Sequence, residues 1–80
     1  MKKKKNTTRS SPKLGAAVRI LVTAGGYDLA DGERFSPPIP AGTIGRYDGP
    51  YPDPKLAAED WHVVRIGSVV VPLHRNHFAV

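Results

Sequence analysis

Apolar and polar positions alternate most regularly in two parts of this chain, and both read as β-structure. In residues 18–24 (VRILVTA), Val18, Ile20 and Val22 share one face while Arg19, Leu21 and Thr23 share the other. A period of two, carried by β-branched residues, predicts a strand. Gly25-Gly26 stops it. Farther along, Trp61–Ile66 (WHVVRI) and residues 68–73 (SVVVPL) flank Gly67. Two such runs joined this tightly predict a hairpin.

The intervening pattern is irregular. Residues 27–40 (YDLADGERFSPPIP) form a long excursion in which Asp31-Gly32 is a hairpin-turn dipeptide. It is expected to join two short arms, 27–30 and 33–36. Pro37, Pro38 and Pro40 then impose an extended path and exclude a central strand. Ala41-Gly42 turns into a short second strand, 43–47 (TIGRY), where Gly45 predicts a bulge or a close backbone approach. Residues 48–60 (DGPYPDPKLAAED) read as a loop. Within it, Asp53 followed by Pro54 has the form of a helix N-cap with proline at the first helical position, so 55–60 is expected to make one helical turn. Residues 73–78 (LHRNHF) predict a single 3₁₀ turn before a terminal strand stub at Ala79-Val80.

This order resembles the small SH3-like barrels, over residues 16–80. The carriers are Gly42-Thr43-Ile44-Gly45, Trp61 after Asp60 at the start of the third strand, and Val69-Val70-Val71-Pro72 leading into the terminal turn. Tyr27-Asp28 and Phe35-Ser36 loosely echo the long first loop of that family. The resemblance implies an all-β, five-stranded barrel with a long first loop and a 3₁₀ turn before the last strand. Two departures stand out. His62 occupies the place of a second tryptophan, and Pro72–Phe78 replaces a short Pro-x-x-Tyr ending. Proline-rich peptide binding is therefore not implied. The fold itself serves RNA, DNA and protein binders alike.

Charge divides the chain in two. Residues 1–13 (MKKKKNTTRSSPK) hold six Lys/Arg and no acid; residues 14–80 hold six Lys/Arg against seven Asp/Glu, a net of −1. The formal +5 is thus a basic arm, 1–13, on a nearly neutral body, 14–80. The arm has no apolar side chain after Met1 and its charges repel, so disorder in isolation is expected. Eighty residues allow one domain, and the body sits near the lower limit for a lone core. With no cysteine there is no disulfide, thiol nucleophile or Cys-based zinc site. No apolar run approaches the ~20 residues of a membrane helix, and polar residues follow the lysines where a signal peptide has its apolar region. A cytoplasmic location, or a particle assembled in the cytosol, is the expectation.

Candidate chemistry is non-catalytic. Ser10, Ser11, Ser36 and Ser68 lack a nucleophile-elbow context, and no helix follows Gly25-Gly26 to cradle a phosphate. His62, His74 and His77 have no carboxylate or thiol at metal-site spacing, so neither metal nor cofactor is expected. Lys2, Lys3, Lys4, Lys5, Arg9 and Lys13 are the candidates for tracking a phosphate backbone, because flexible cations release counterions on contact. Trp61 and Phe78 are assigned to the core. Tyr27, Arg46, Tyr47, Tyr51, His74 and Arg75 are the candidates for a partner surface, with Tyr47 and Tyr51 exposed around Asp48-Gly49-Pro50. Asp48, Asp53, Glu59 and Asp60 favour a protein there over a nucleic acid. The leading expectation is an accessory module of a nucleoprotein assembly, the arm on DNA or RNA and the barrel on protein. The alternative is a small protein-interaction module, phage-encoded or host-regulating, with no nucleic-acid role.

Overall fold

Buried positions recur every second residue along the longest strand. That strand, β4 (Ile44–Pro50), buries Gly45, Tyr47 and Gly49 and exposes Ile44, Arg46, Asp48 and Pro50. The computed structural model describes residues 12–32 and 34–80. The other strands are β1 (Ala17–Ile20), β2 (Tyr27–Asp28), β3 (Arg34–Phe35), β5 (Trp61–Ile66), β6 (Val69–His74) and β7 (Phe78–Ala79). One short helix, α1 (Pro54–Ala58), lies between β4 and β5. The strands form a single sheet in the order β3-β2-β6-β5-β4-β1-β7, with every neighbouring pair antiparallel.

The all-β character expected from the sequence is present; a closed five-stranded barrel is not. The sheet has seven strands and two edges, β3 and β7. The difference arises in the long first loop. Its Asp31-Gly32 turn does fold back as expected, with Gly32 in the left-handed region at φ 71°. The two arms then pair with each other, Tyr27 opposite Phe35, and β2 adds to β6, Tyr27 opposite Val70. Gly26 permits that approach, since a Cβ there would lie 2.6 Å from the Val70 carbonyl oxygen. A loop has thereby become two strands.

Other boundaries shift for identifiable reasons. β1 ends at Ile20 rather than residue 24 because the chain changes partners: Leu21 N donates to His77 O, and Ala24 bridges Ile39. β4 runs past residue 47 through a register shift between Tyr47 and Pro50, where Gly49 adopts φ 100°. The close approach expected at Gly45 is real. A Cβ there would lie 2.7 Å from side-chain carbons of Val64 and Ile66. Asp53 caps α1 as expected, its carboxylate accepting from Lys55 N at 2.9 Å. The β5–β6 hairpin turns at Gly67, at φ 61°, and a 3₁₀ turn at Arg75–His77 precedes β7.

The core lies on one side of the sheet and comprises Val18, Ile20, Tyr47, Val64, Val71, Leu73 and Phe78. Phe78 is buried as expected. Trp61 is not among these residues; it is half-buried on the other side, because His62 and Val64 take the inward positions of β5. No helix among the described residues is long and apolar enough to cross a membrane.

Candidate binding groove

The face of the sheet away from the core carries an apolar groove. On β5 the outward residues are Trp61, Val63 and Arg65; on β6 they are Val70, Pro72 and His74. The register sets them in pairs: Trp61 opposite His74, Val63 opposite Pro72, and Arg65 opposite Val70. Val63, Val70 and Pro72 floor a groove of about 560 Å³, within the usual range for ligand pockets. Tyr27 closes it on the β2 side, and Pro50, Tyr51 and Pro52 wall it on the β4 side. Asp48 and Asp53 supply its charged lining.

Each wall is held by local chemistry. Tyr27 rests against Phe35, ring centroids 5.0 Å apart. Asp28 beside it accepts from Ala30 N and from the Ser68 hydroxyl, tying the first hairpin to the β5–β6 turn. On the other wall Tyr51 N donates to Trp61 O at 2.9 Å. Three prolines, Pro50, Pro52 and Pro54, restrict φ along this segment and lower its conformational freedom. Asp48 accepts from Arg65 at 3.2 Å in an exposed pair, whose contribution to stability is at most about 1 kcal/mol.

The structure separates the six candidate partner residues. Tyr27 and Tyr51 both line the groove. Arg46 is exposed on the same side of β4 as Asp48 and donates to Gly15 O at 3.4 Å. His74 is half-buried, edge-on to Trp61 at 5.8 Å, one cross-strand pair beyond the groove floor.

Tyr47 and Arg75 are corrections. Tyr47 is 4% exposed, not a surface aromatic. Gly45 and Gly49 share its inward face, and its hydroxyl meets His62 Nδ1 at 2.7 Å. Arg75 is 8% exposed. Its guanidinium lies over the Phe78 ring, 4.7 Å from the centroid, and donates to Phe78 O at 2.9 Å. Neither side chain is available to a partner.

The histidines also divide. His62 is buried between Tyr47 and Asp60, with Nε2 at 2.8 Å from the Asp60 carboxylate. His74 and His77 lie with ring centroids 5.9 Å apart and planes tilted by 59° at the terminal turn. Among the described residues, no group of three or more His, Asp or Glu side chains is placed to hold a metal. Of the arm candidates, only Lys13 falls within the described residues; Lys2, Lys3, Lys4, Lys5 and Arg9 lie outside them.

Sequence reasoning missed the groove floor, although a signal was present. Residues 69–73 (VVVPL) are apolar without alternation, the pattern of a strand covered on both faces. Val71 and Leu73 face the core, while Val70 and Pro72 face the groove. Segment 27–35, which carries Tyr27, holds three acids against Arg34, and segment 48–60, which carries Tyr51, holds four against Lys55. These two segments carry a net of −5 and the rest of the body a net of +4; of their acids, Asp48 and Asp53 line the groove, and Asp48 is paired with Arg65. No protein-family model, curated protein or solved structure matches this chain at a significant level.

Proposed function

We propose that this protein is a non-catalytic binding module that grips an extended segment of a protein partner in the groove and contacts nucleic acid through its basic arm. The single observation that carries the reading is the groove itself: aromatic and proline walls, an aliphatic floor, and acids at Asp48 and Asp53. Tyrosine and proline walls offer rigid apolar area at low entropic cost. The carboxylates favour a basic side chain on the ligand. The same two carboxylates disfavour a phosphate backbone in the groove.

The nucleic-acid half of the proposal rests on the arm, whose six cations stand without a single acid through residue 13. An SH3-like relationship belongs to the same proposal. The tight β5–β6 hairpin and the 3₁₀ turn before the final strand are the features in its favour. An accessory role in a nucleoprotein assembly, in the cytoplasm or a particle assembled there, is the setting that joins the two activities.

The test has two parts. An array of extended peptides pairing apolar residues with Lys or Arg is probed with the full chain and with Tyr51→Ala. Ligands that bind the full chain and lose at least tenfold with Tyr51→Ala place recognition in the groove. Equal binding to both proteins rejects it. Separately, duplex DNA affinity is titrated against salt. Six phosphate contacts give a log–log slope of about −5, and replacing Lys2, Lys3, Lys4 and Lys5 by Gln flattens it. A full chain that binds no DNA at low salt leaves the alternative, a protein-interaction module with no nucleic-acid role.

A further inference from the structure

We infer that Arg19, Arg46 and Arg65, on the outward face of β1, β4 and β5, form a contact surface for the phosphate backbone of duplex nucleic acid. The inference rests on the nucleic-acid half of the proposed function, and adds a site within the folded body.

Register brings the three side chains together. Arg46 stands directly opposite Arg65 across β4 and β5. Arg19 pairs with Ile44, two residues before Arg46, so Arg19 and Arg46 are diagonal neighbours. All three are exposed, because Val18, Gly45 and Val64 take the inward positions beside them. Directly opposed Cβ atoms lie about 5 Å apart and diagonal ones about 7–8 Å. Like charges directly opposite destabilise a strand pair. An anion laid across Arg46 and Arg65 removes that repulsion.

The fold leaves this group largely unneutralised. Every acid of the chain falls in segments 27–35 and 48–60. Asp48 is the acid paired with it, through the exposed contact to Arg65 at 3.2 Å. Three cations against that carboxylate leave a net of +2. Arg75, the other cation of the body outside those two segments, is buried over Phe78. Every exposed cation of residues 14–80 outside the acidic segments therefore belongs to this one patch.

The chemistry fits a phosphate backbone. A guanidinium presents forked donors that match phosphate oxygens. The three arginines span two strand intervals, about 10 Å, a length over which one strand of duplex carries about three phosphates. Ala17 and Ile44 stand beside them on the same face. No aromatic ring is interleaved to stack on an unpaired base, which favours a duplex over a single strand. The position also suits the basic arm. Arg46 donates to Gly15 O at 3.4 Å, and exposed Lys13 lies two residues before Gly15.

The experiment is a salt titration of binding to a short DNA duplex, with the full chain and full-length variants. Nine contacts, six from the arm and three from the patch, give a log–log slope of about −8. Replacing Arg19, Arg46 and Arg65 together by Gln reduces it to about −5, with the fold retained by circular dichroism. Replacing the same three by Lys keeps the steeper slope. Arg34→Gln combined with Lys55→Gln removes two exposed cations elsewhere and leaves the slope unchanged. Asp48→Asn, which frees Arg65, tightens binding.

A slope that ignores the triple Gln change, while replacing Lys2, Lys3, Lys4 and Lys5 still flattens it, overturns the inference and leaves the arm reading intact. An equal loss per charge in the Arg34 and Lys55 variant also overturns it, because net charge alone then explains the effect. So does a triple variant that loses binding to polyglutamate but not to DNA, since that assigns the patch to an acidic protein. A full chain that binds no duplex at low salt overturns the arm reading and the inference together.

Discussion

Tyr47 and His62 face each other across β4 and β5, hydroxyl to Nδ1 at 2.7 Å, inside the core. The contact continues through His62 Nε2 to the Asp60 carboxylate at 2.8 Å. A polar chain thus runs from the centre of the core to the turn that precedes β5. Asp60 has φ 70°, the only non-glycine residue with positive φ among the described residues. Its backbone also holds the terminal turn, since Arg75 N donates to Asp60 O at 3.0 Å. His62 further meets Phe78 edge-on at 5.6 Å. The network ties the start of β5 to the last strand.

Removing the Tyr47 hydroxyl tests that network. Tyr47→Phe keeps the ring and leaves a buried imidazole nitrogen without its partner, at a cost of about 1–3 kcal/mol. Urea unfolding monitored by Trp61 fluorescence measures it. A Tyr47→Phe protein as stable as the parent means His62 finds another partner on relaxation.

The two large aromatics of the hairpin end are expected to differ. Phe78 is fully buried beneath Arg75, so Phe78→Ala costs about 3–5 kcal/mol. Trp61 is half-buried against His74 outside the core, and Trp61→Ala costs about 1–2 kcal/mol. Calorimetry of both variants ranks them; the reverse order places Trp61 at the centre of the fold.

Gly45 is a steric requirement. Its φ is ordinary, but a Cβ meets Val64 and Ile66 side chains at 2.7 Å and the Arg65 carbonyl oxygen at 2.8 Å. Gly45→Ala forces β4 and β5 apart and costs about 1–3 kcal/mol. The matching experiment is Gly45→Ala with Val64→Ala: removing one obstructing side chain should not restore stability, because the Arg65 carbonyl remains.

Asp53 holds the α1 turn beside Tyr51. Asp53→Ala removes the acceptor for Lys55 N and costs about 1 kcal/mol, whereas Asp53→Asn costs a few tenths at most. Hydrogen exchange at Lys55 reads the difference directly. Faster exchange in Asp53→Ala alone marks the carboxylate oxygen as the cap.

Local chemistry made much of this architecture legible. The Asp53-Pro54 start of α1, the Asp31-Gly32 reversal, the β5–β6 hairpin around Gly67 and the 3₁₀ turn before the final strand each depend on neighbours within a few residues. The groove was only half legible. Tyr27 and Tyr51 were identifiable as aromatics in loops, but Val63, Val70 and Pro72 belong to it only because β5 and β6 align them on one face. Tyr47 misled for a related reason. Asp48-Gly49-Pro50 reads as a loop, and a tyrosine beside a loop reads as exposed. The Gly49 bulge instead carries β4 onward, and pairing with buried Val64 sets Tyr47 inward.

What the amino-acid sequence determined by itself was the all-β character, the position of the turns and the partition of charge between arm and body. Each follows from side-chain periodicity, from the backbone limits of glycine and proline, or from counting ionisable groups. Tertiary structure decided how many strands pair, which aromatic is buried and which side chains line the groove. Those outcomes depend on contacts between residues distant in the chain: Tyr27 with Val70, Tyr47 with His62, and Asp48 with Arg65. A period of two specifies that a strand has two faces. Which face meets the core is set by the register with its neighbours, and register is a property of the folded sheet.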